Sequence, residues 1–181
     1  TGALKDNDLP KNAVQFGMSV ASASDAVPVN PATIGAALGV YYGRLWLNGA
    51  YGGEFLSLPI PVQTQFWTAA GWQKNLLDNC TQLTVPTSAN GGLKFGPQTA
   101  GNQLAAGETV ASMSGTPQGK MVNGDPGLRL SAPGAGNFGH VDIVGSQLGS
   151  PAWLPPSSDV RACFGVCGQR RSPVIYQRER Y

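Results

Sequence analysis

Apolar and polar positions alternate in short stretches along this chain, and the alternation predicts β-strands. Over residues 40–47, Val40, Tyr42, Arg44 and Trp46 point one way while Tyr41, Leu45 and Leu47 point the other. A period of two belongs to a strand with two unlike faces. Asn48-Gly49 then reads as a turn. Residues 54–59 read as a short strand. Over residues 61–69, Val62, Thr64 and Phe66 alternate with Gln63, Gln65 and Trp67. Pro59 and Pro61 place an edge or a bend between these two pieces, because proline donates no ladder hydrogen bond. A strand restarts at Gly71-Trp72 and heads towards Cys80. Further on, Phe138, His140 and Asp142 oppose Val141 and Ile143. Residues 161–167 and 174–180 read as two arms of a hairpin around a turn at 168–173.

Between these stretches lie turn signals: Asn90-Gly91-Gly92, Gly96-Pro97 and Asn123-Gly124-Asp125-Pro126-Gly127. Shorter strands are expected over 14–20, 108–113 and 128–130. The small and polar run 21–36, with Pro28 and Pro31, reads as a loop or linker. No stretch of ten residues keeps a helical period, and no fixed repeat is visible. The pattern predicts an all-β fold, a β-sandwich (Ig-like or jelly-roll-like) of roughly nine to eleven short strands with long Gly/Pro-rich loops. Residues 1–37 are expected to form a lead-in strand and linker, and residues 38–181 the sandwich domain.

Composition narrows this further. The 181 residues include 25 Gly and 14 Pro, and only 12% are charged. That charged share is about half the usual one, and it argues against a coiled coil. A net charge of +2 with 41% hydrophobic residues argues against charge-driven disorder. No apolar run reaches the roughly 18 residues of a membrane span. The chain begins with Thr1 and shows no signal-peptide pattern. It is expected to be part of a larger, exported precursor.

Candidate chemistry is sparse. The cysteines are Cys80, Cys163 and Cys167. On one extended strand, Cys163 and Cys167 would stand about 13 Å apart, beyond the reach of a bridge. The expected pairing is therefore Cys80 with Cys163 or Cys167, with three free thiols as the alternative. These cysteines and the lone His140 match no zinc spacing, and no metal or cofactor is expected. Gly134-Ala-Gly-Asn-Phe-Gly139 fits the dinucleotide fingerprint, but the β-branched run after it denies the motif its helix. His140 and Asp142 could form a base and its orienting acid, yet nothing marks a nucleophile. The chain is not expected to be an enzyme; a hydrolase around His140 and Asp142 is the remote alternative. Asn79-Cys80-Thr81 fits the N-glycosylation sequon.

The last 21 residues hold Arg161, Arg170, Arg171, Arg178 and Arg180, interleaved with Tyr176 and Tyr181. The small total charge argues against nucleic acid. Arginine and tyrosine together suit a protein interface. Val174, Tyr176, Arg178, Arg180 and Tyr181 are the interface candidates. Trp46, Trp67, Trp72 and Trp153 are glycan-contact candidates under an alternative reading, as stacking platforms.

Four stretches in order resemble the C-terminal region of MshQ-like proteins. They are Tyr42-Gly-Arg-Leu-Trp-Leu-Asn-Gly-Ala-Tyr-Gly52 with Glu54-Phe-Leu-Ser-Leu-Pro-Ile-Pro-Val62 and Gln65-Phe-Trp67; Asp78-Asn-Cys-Thr81; Gly127-Leu-Arg-Leu-Ser-Ala-Pro-Gly-Ala-Gly-Asn137 with Gly139-His-Val141; and Ala162-Cys-Phe-Gly165 with Val174-Ile-Tyr-Gln-Arg-Glu-Arg-Tyr181. That family is associated with biogenesis of the mannose-sensitive haemagglutinin type IV pilus of Gram-negative bacteria. Two features depart from it. An insert expected after Trp153-Leu154 is missing, and Cys163 and Cys167 replace non-cysteine positions. The resemblance carries no catalytic residue. It implies an extracellular, pilus- or envelope-associated domain of structural or adhesive role. Its partners would be other envelope proteins or copies of itself, with no nucleic acid and no membrane span of its own. A carbohydrate-binding adhesin module is the alternative.

Overall fold

The computed structural model describes residues 13–18, 32–39, 41–96, 103–165 and 167. Twelve strands and one 3-10 turn make up its regular structure among these residues. The fold is all-β and sandwich-like, as the alternation predicts. The chain divides into two compact units, one of residues 1–43 and 66–73, the other of residues 44–65 and 74–181.

In the first unit, β1 (Ala13–Met18) pairs antiparallel with β2 (Ala32–Gly39), from Met18 opposite Ala32 to Ala13 opposite Gly39. The ladder shifts register between Val14 and Phe16. The sequence pattern anticipates β1 but assigns most of β2 to a linker. β2 reads Ala-Thr-Ile-Gly-Ala-Ala-Leu-Gly. Its small residues carry no apolar–polar contrast, so a period of two cannot register.

A three-stranded sheet has the order β3-β6-β7, from Gly43–Leu47, Val62–Thr68 and Gly71–Lys74. The second unit adds two further sheets. One has the order β5-β10-β9, from Leu58–Pro59, Arg129–Leu130 and Ala111–Ser112. The other has the order β4-β12-β11-β8, from Ala50–Gly52, Val160–Phe164, Gly139–Ile143 and Leu93–Lys94. All three sheets feed one core through Leu45, Leu47, Leu58, Val62, Leu130, Val141, Ile143 and Phe164, each at most 5% exposed.

The faces of β3 and the start of β6 follow the predicted alternation, with Leu45, Leu47, Val62 and Thr64 inward. β5 is shorter than expected, because residues 54–56 turn before Leu58. Asn48-Gly49 is not a hairpin turn. β3 pairs with β6 while β4 pairs with β12, in parallel, so the dipeptide carries the chain from one sheet to another. A Cβ at Gly49 would lie 2.7 Å from the Arg161 carbonyl oxygen. The glycine is needed for close approach to β12 rather than for a hairpin. Asn123-Gly124 is the tight turn it promises: Val122 and Asp125 exchange both backbone hydrogen bonds, at 2.9 and 3.1 Å. That geometry needs positive φ, and Asn123 has 51° and Gly124 73°.

The proline-rich segment after Trp153 is also structural. The Leu45 N–H donates to Pro155 O at 2.9 Å and the Ser157 N–H to Leu45 O at 2.8 Å. This covers the side of β3 away from β6 and removes an open edge.

Candidate functional site

The cysteines differ from expectation. Cys163 and Cys167 are bonded to each other, with Cα atoms 5.9 Å apart, and Cys80 is a free, exposed thiol. The expected bridge from Cys80 assumed that residues 161–167 stay extended. β12 instead ends at Phe164, and Gly165 turns the chain with φ of 66°. That left-handed step, easy for glycine, folds Cys167 back towards Cys163.

Cys80 sits on a loop organised by Asp78. This carboxylate is 6% exposed. Its Oδ1 accepts the N–H of Cys80 at 3.2 Å and of Thr81 at 3.0 Å. The Asp78 carbonyl oxygen accepts the N–H of Gly124 at 2.9 Å. Burial pushes the carboxyl up, but the hydrogen bonds from Thr81 and Cys80 outweigh it and hold the group below its ordinary value. No pattern of spacing singles out Asp78; the only trace was its place in Asp78-Asn-Cys-Thr81.

His140 and Asp142 share β11 and differ in burial. The His140 side chain is 5% exposed, and residues 103–104 run alongside the strand at this point. The Leu104 N–H donates to His140 O at 2.9 Å. Of the face shared by Phe138, His140 and Asp142, the middle residue is buried while Phe138 is 40% exposed. Asp142 lies opposite Arg161 in the β11–β12 register. Arg161 Nε donates to Oδ1 at 2.7 Å and Nη2 to Oδ2 at 3.0 Å. The Arg161 hydrogen bond, opposed by partial burial, holds the Asp142 carboxyl below its ordinary value. The carboxylate is anchored across the strand pair by Arg161.

The glycine loop before β11 is occupied from within the chain. The Gly134 N–H donates to Glu54 O at 3.0 Å and the Gly136 N–H to Glu54 Oε1 at 3.2 Å. A strand follows the loop, as its β-branched run requires.

The tryptophans separate into two groups. Trp67 and Trp72 meet edge to face at 5.2 Å, and Tyr42 lies against Trp72 at 5.5 Å. Trp46, Trp67 and Trp72 are each half-buried. Trp153 is 68% exposed. It lines an open hollow of about 340 Å³ with Cys80, Thr81, Gln82, Gly149 and Pro151.

A second exposed feature flanks β4, an end strand of its sheet. Tyr51 is 71% exposed, Phe55 69% and Leu56 71%. The sequence pattern did not single out these three. The interface candidates Val174, Tyr176, Arg178, Arg180 and Tyr181, with the second hairpin arm, lie outside the described residues. Among the described residues, no group of three or more His, Cys, Asp or Glu side chains could hold a metal ion. No helix among them is long and apolar enough to cross a membrane.

No curated protein and no solved structure matches the chain. The DUF6701 fourth-domain family matches over residues 41–180, a span that holds β3 to β12. This chain belongs to the DUF6701 fourth-domain family.

Proposed function

We propose that the chain is a non-enzymatic, extracellular domain of the bacterial envelope that acts by protein–protein contact within a type IV pilus or a related surface assembly. The observation that carries this reading is the apolar edge at β4. Tyr51, Phe55 and Leu56 lie within six residues, each about 70% exposed. Tyr51 lies on an end strand that is paired on one side with β12, and Phe55 and Leu56 follow it. An end strand offers unsatisfied backbone groups to a partner, and large exposed apolar side chains beside it supply contact area. The ordered resemblance to MshQ-like proteins supports the pilus setting, and other envelope proteins or copies of this chain are the partners it suggests.

The test pairs a surface variant with a truncation. Phe55→Ser with Leu56→Ser removes exposed side chains and is expected to leave thermal unfolding unchanged. It is expected to eliminate crosslinking of the domain into its surface assembly on intact cells. Deleting residues 173–181 is expected to have the same effect on assembly. Undiminished crosslinking of a folded double variant contradicts the proposal.

A further inference from the structure

The hollow around Trp153 belongs to neither the β4 edge nor the core. Its two walls are fixed. On one side, Cys80 and Thr81 are held through their N–H groups by the buried Asp78 carboxylate. On the other, Leu154 is 3% exposed and anchors the loop that carries the indole; its N–H donates to Pro151 O at 2.8 Å. The walls are joined by the Thr84 N–H donating to Leu148 O at 2.8 Å. An exposed tryptophan on an anchored loop exposes a flat apolar face to water at little cost in ordering on binding.

The lining states the chemistry of the occupant. It is part apolar, from one indole and one proline ring, and part polar, from the exposed amide residue Gln82. None of its residues is Asp, Glu, Lys, Arg or His. A phosphate, a sialylated glycan or a cation would find no counter-charge among these lining residues. A pyranose ring satisfies both parts: its C–H face stacks on the indole, and its hydroxyls pair with an amide that both donates and accepts.

We propose that this hollow is a glycosyl-binding subsite for neutral sugars, with Trp153 as the stacking platform and Gln82 as the orienting polar contact. The site is separate from the β4 edge, so the two functions fail independently.

The experiment uses the whole chain and neutral oligosaccharides of glucose, galactose and N-acetylglucosamine at millimolar concentration, followed by calorimetry and Trp fluorescence. At least one is expected to bind. Trp153→Ala is expected to weaken binding by about tenfold or more, Trp153→Phe to keep part of it, and Phe55→Ser with Leu56→Ser to leave it unchanged. Because Cys80 lines the same hollow, the bound sugar is expected to slow alkylation of its thiol. The proposal is overturned if none of the probes binds, if binding survives Trp153→Ala in a folded protein, or if only acidic glycans bind.

Discussion

Asp78 places one carboxylate oxygen on two backbone N–H groups at a site closed to water, and that arrangement has a direct consequence for pH. The carboxyl sits below its ordinary value of 3.8 in the folded chain. Its contribution to stability is therefore complete above that value and is lost as pH falls through the lowered one. Asp78→Asn is expected to lower stability by about 1–3 kcal/mol at neutral pH, because the hydrogen bonds from Cys80 and Thr81 lose their charged acceptor and the new NH2 cannot accept. It is also expected to flatten the acid limb of a stability–pH profile measured by urea unfolding. Arg161 is a contrast. Its ion pair with Asp142 is well aligned, but its side chain is 58% exposed. Arg161→Ala is expected to cost no more than about 1 kcal/mol, and less in high salt. The sequence names Asp142 readily, by its spacing from His140, and gives no sign of its ion-pair partner, which lies 19 residues away on the next strand.

At the level of strands and turns, the largest single burden falls on β12. Phe164 is fully buried and is the largest such side chain in the core. Phe164→Ala is expected to cost about 3–5 kcal/mol, read as a fall in the urea midpoint at unchanged slope. Gly49 tests the crossing between sheets. A Cβ there meets the Arg161 carbonyl oxygen at 2.7 Å, so Gly49→Ala must displace backbone. It is expected to destabilise the chain by about 1–3 kcal/mol. β3, β6 and the body of β11 were legible because bulky apolar residues alternate there with polar ones. β2 was not, because alanine and glycine leave no contrast, and residues 54–56 mislead because exposed Phe55 and Leu56 mimic a core strand.

Over the whole molecule, the cysteine arrangement separates two architectures that composition alone leaves equal. A bridge from Cys80 would have closed a loop of more than eighty residues; the observed one spans a separation of four. Closing so short a loop contributes only about 2 kcal/mol in the chain-entropy picture. Reduction is therefore expected to lower the unfolding midpoint without unfolding the domain. Denatured but unreduced chain is expected to take up one alkyl group, at Cys80, and reduced chain three, counted by intact mass. The all-β class, the scarcity of charge, the absence of a long helical period and the main strands follow from local order, because side-chain alternation and turn chemistry act over two to eight residues. The cysteine partners, the parallel β4–β12 pairing, the burial of His140, the anchoring of Asp142 and the exposure of Trp153 rather than Trp46, Trp67 or Trp72 do not. Each depends on which distant segments meet, and that is set by how three sheets share one core rather than by any neighbour along the chain.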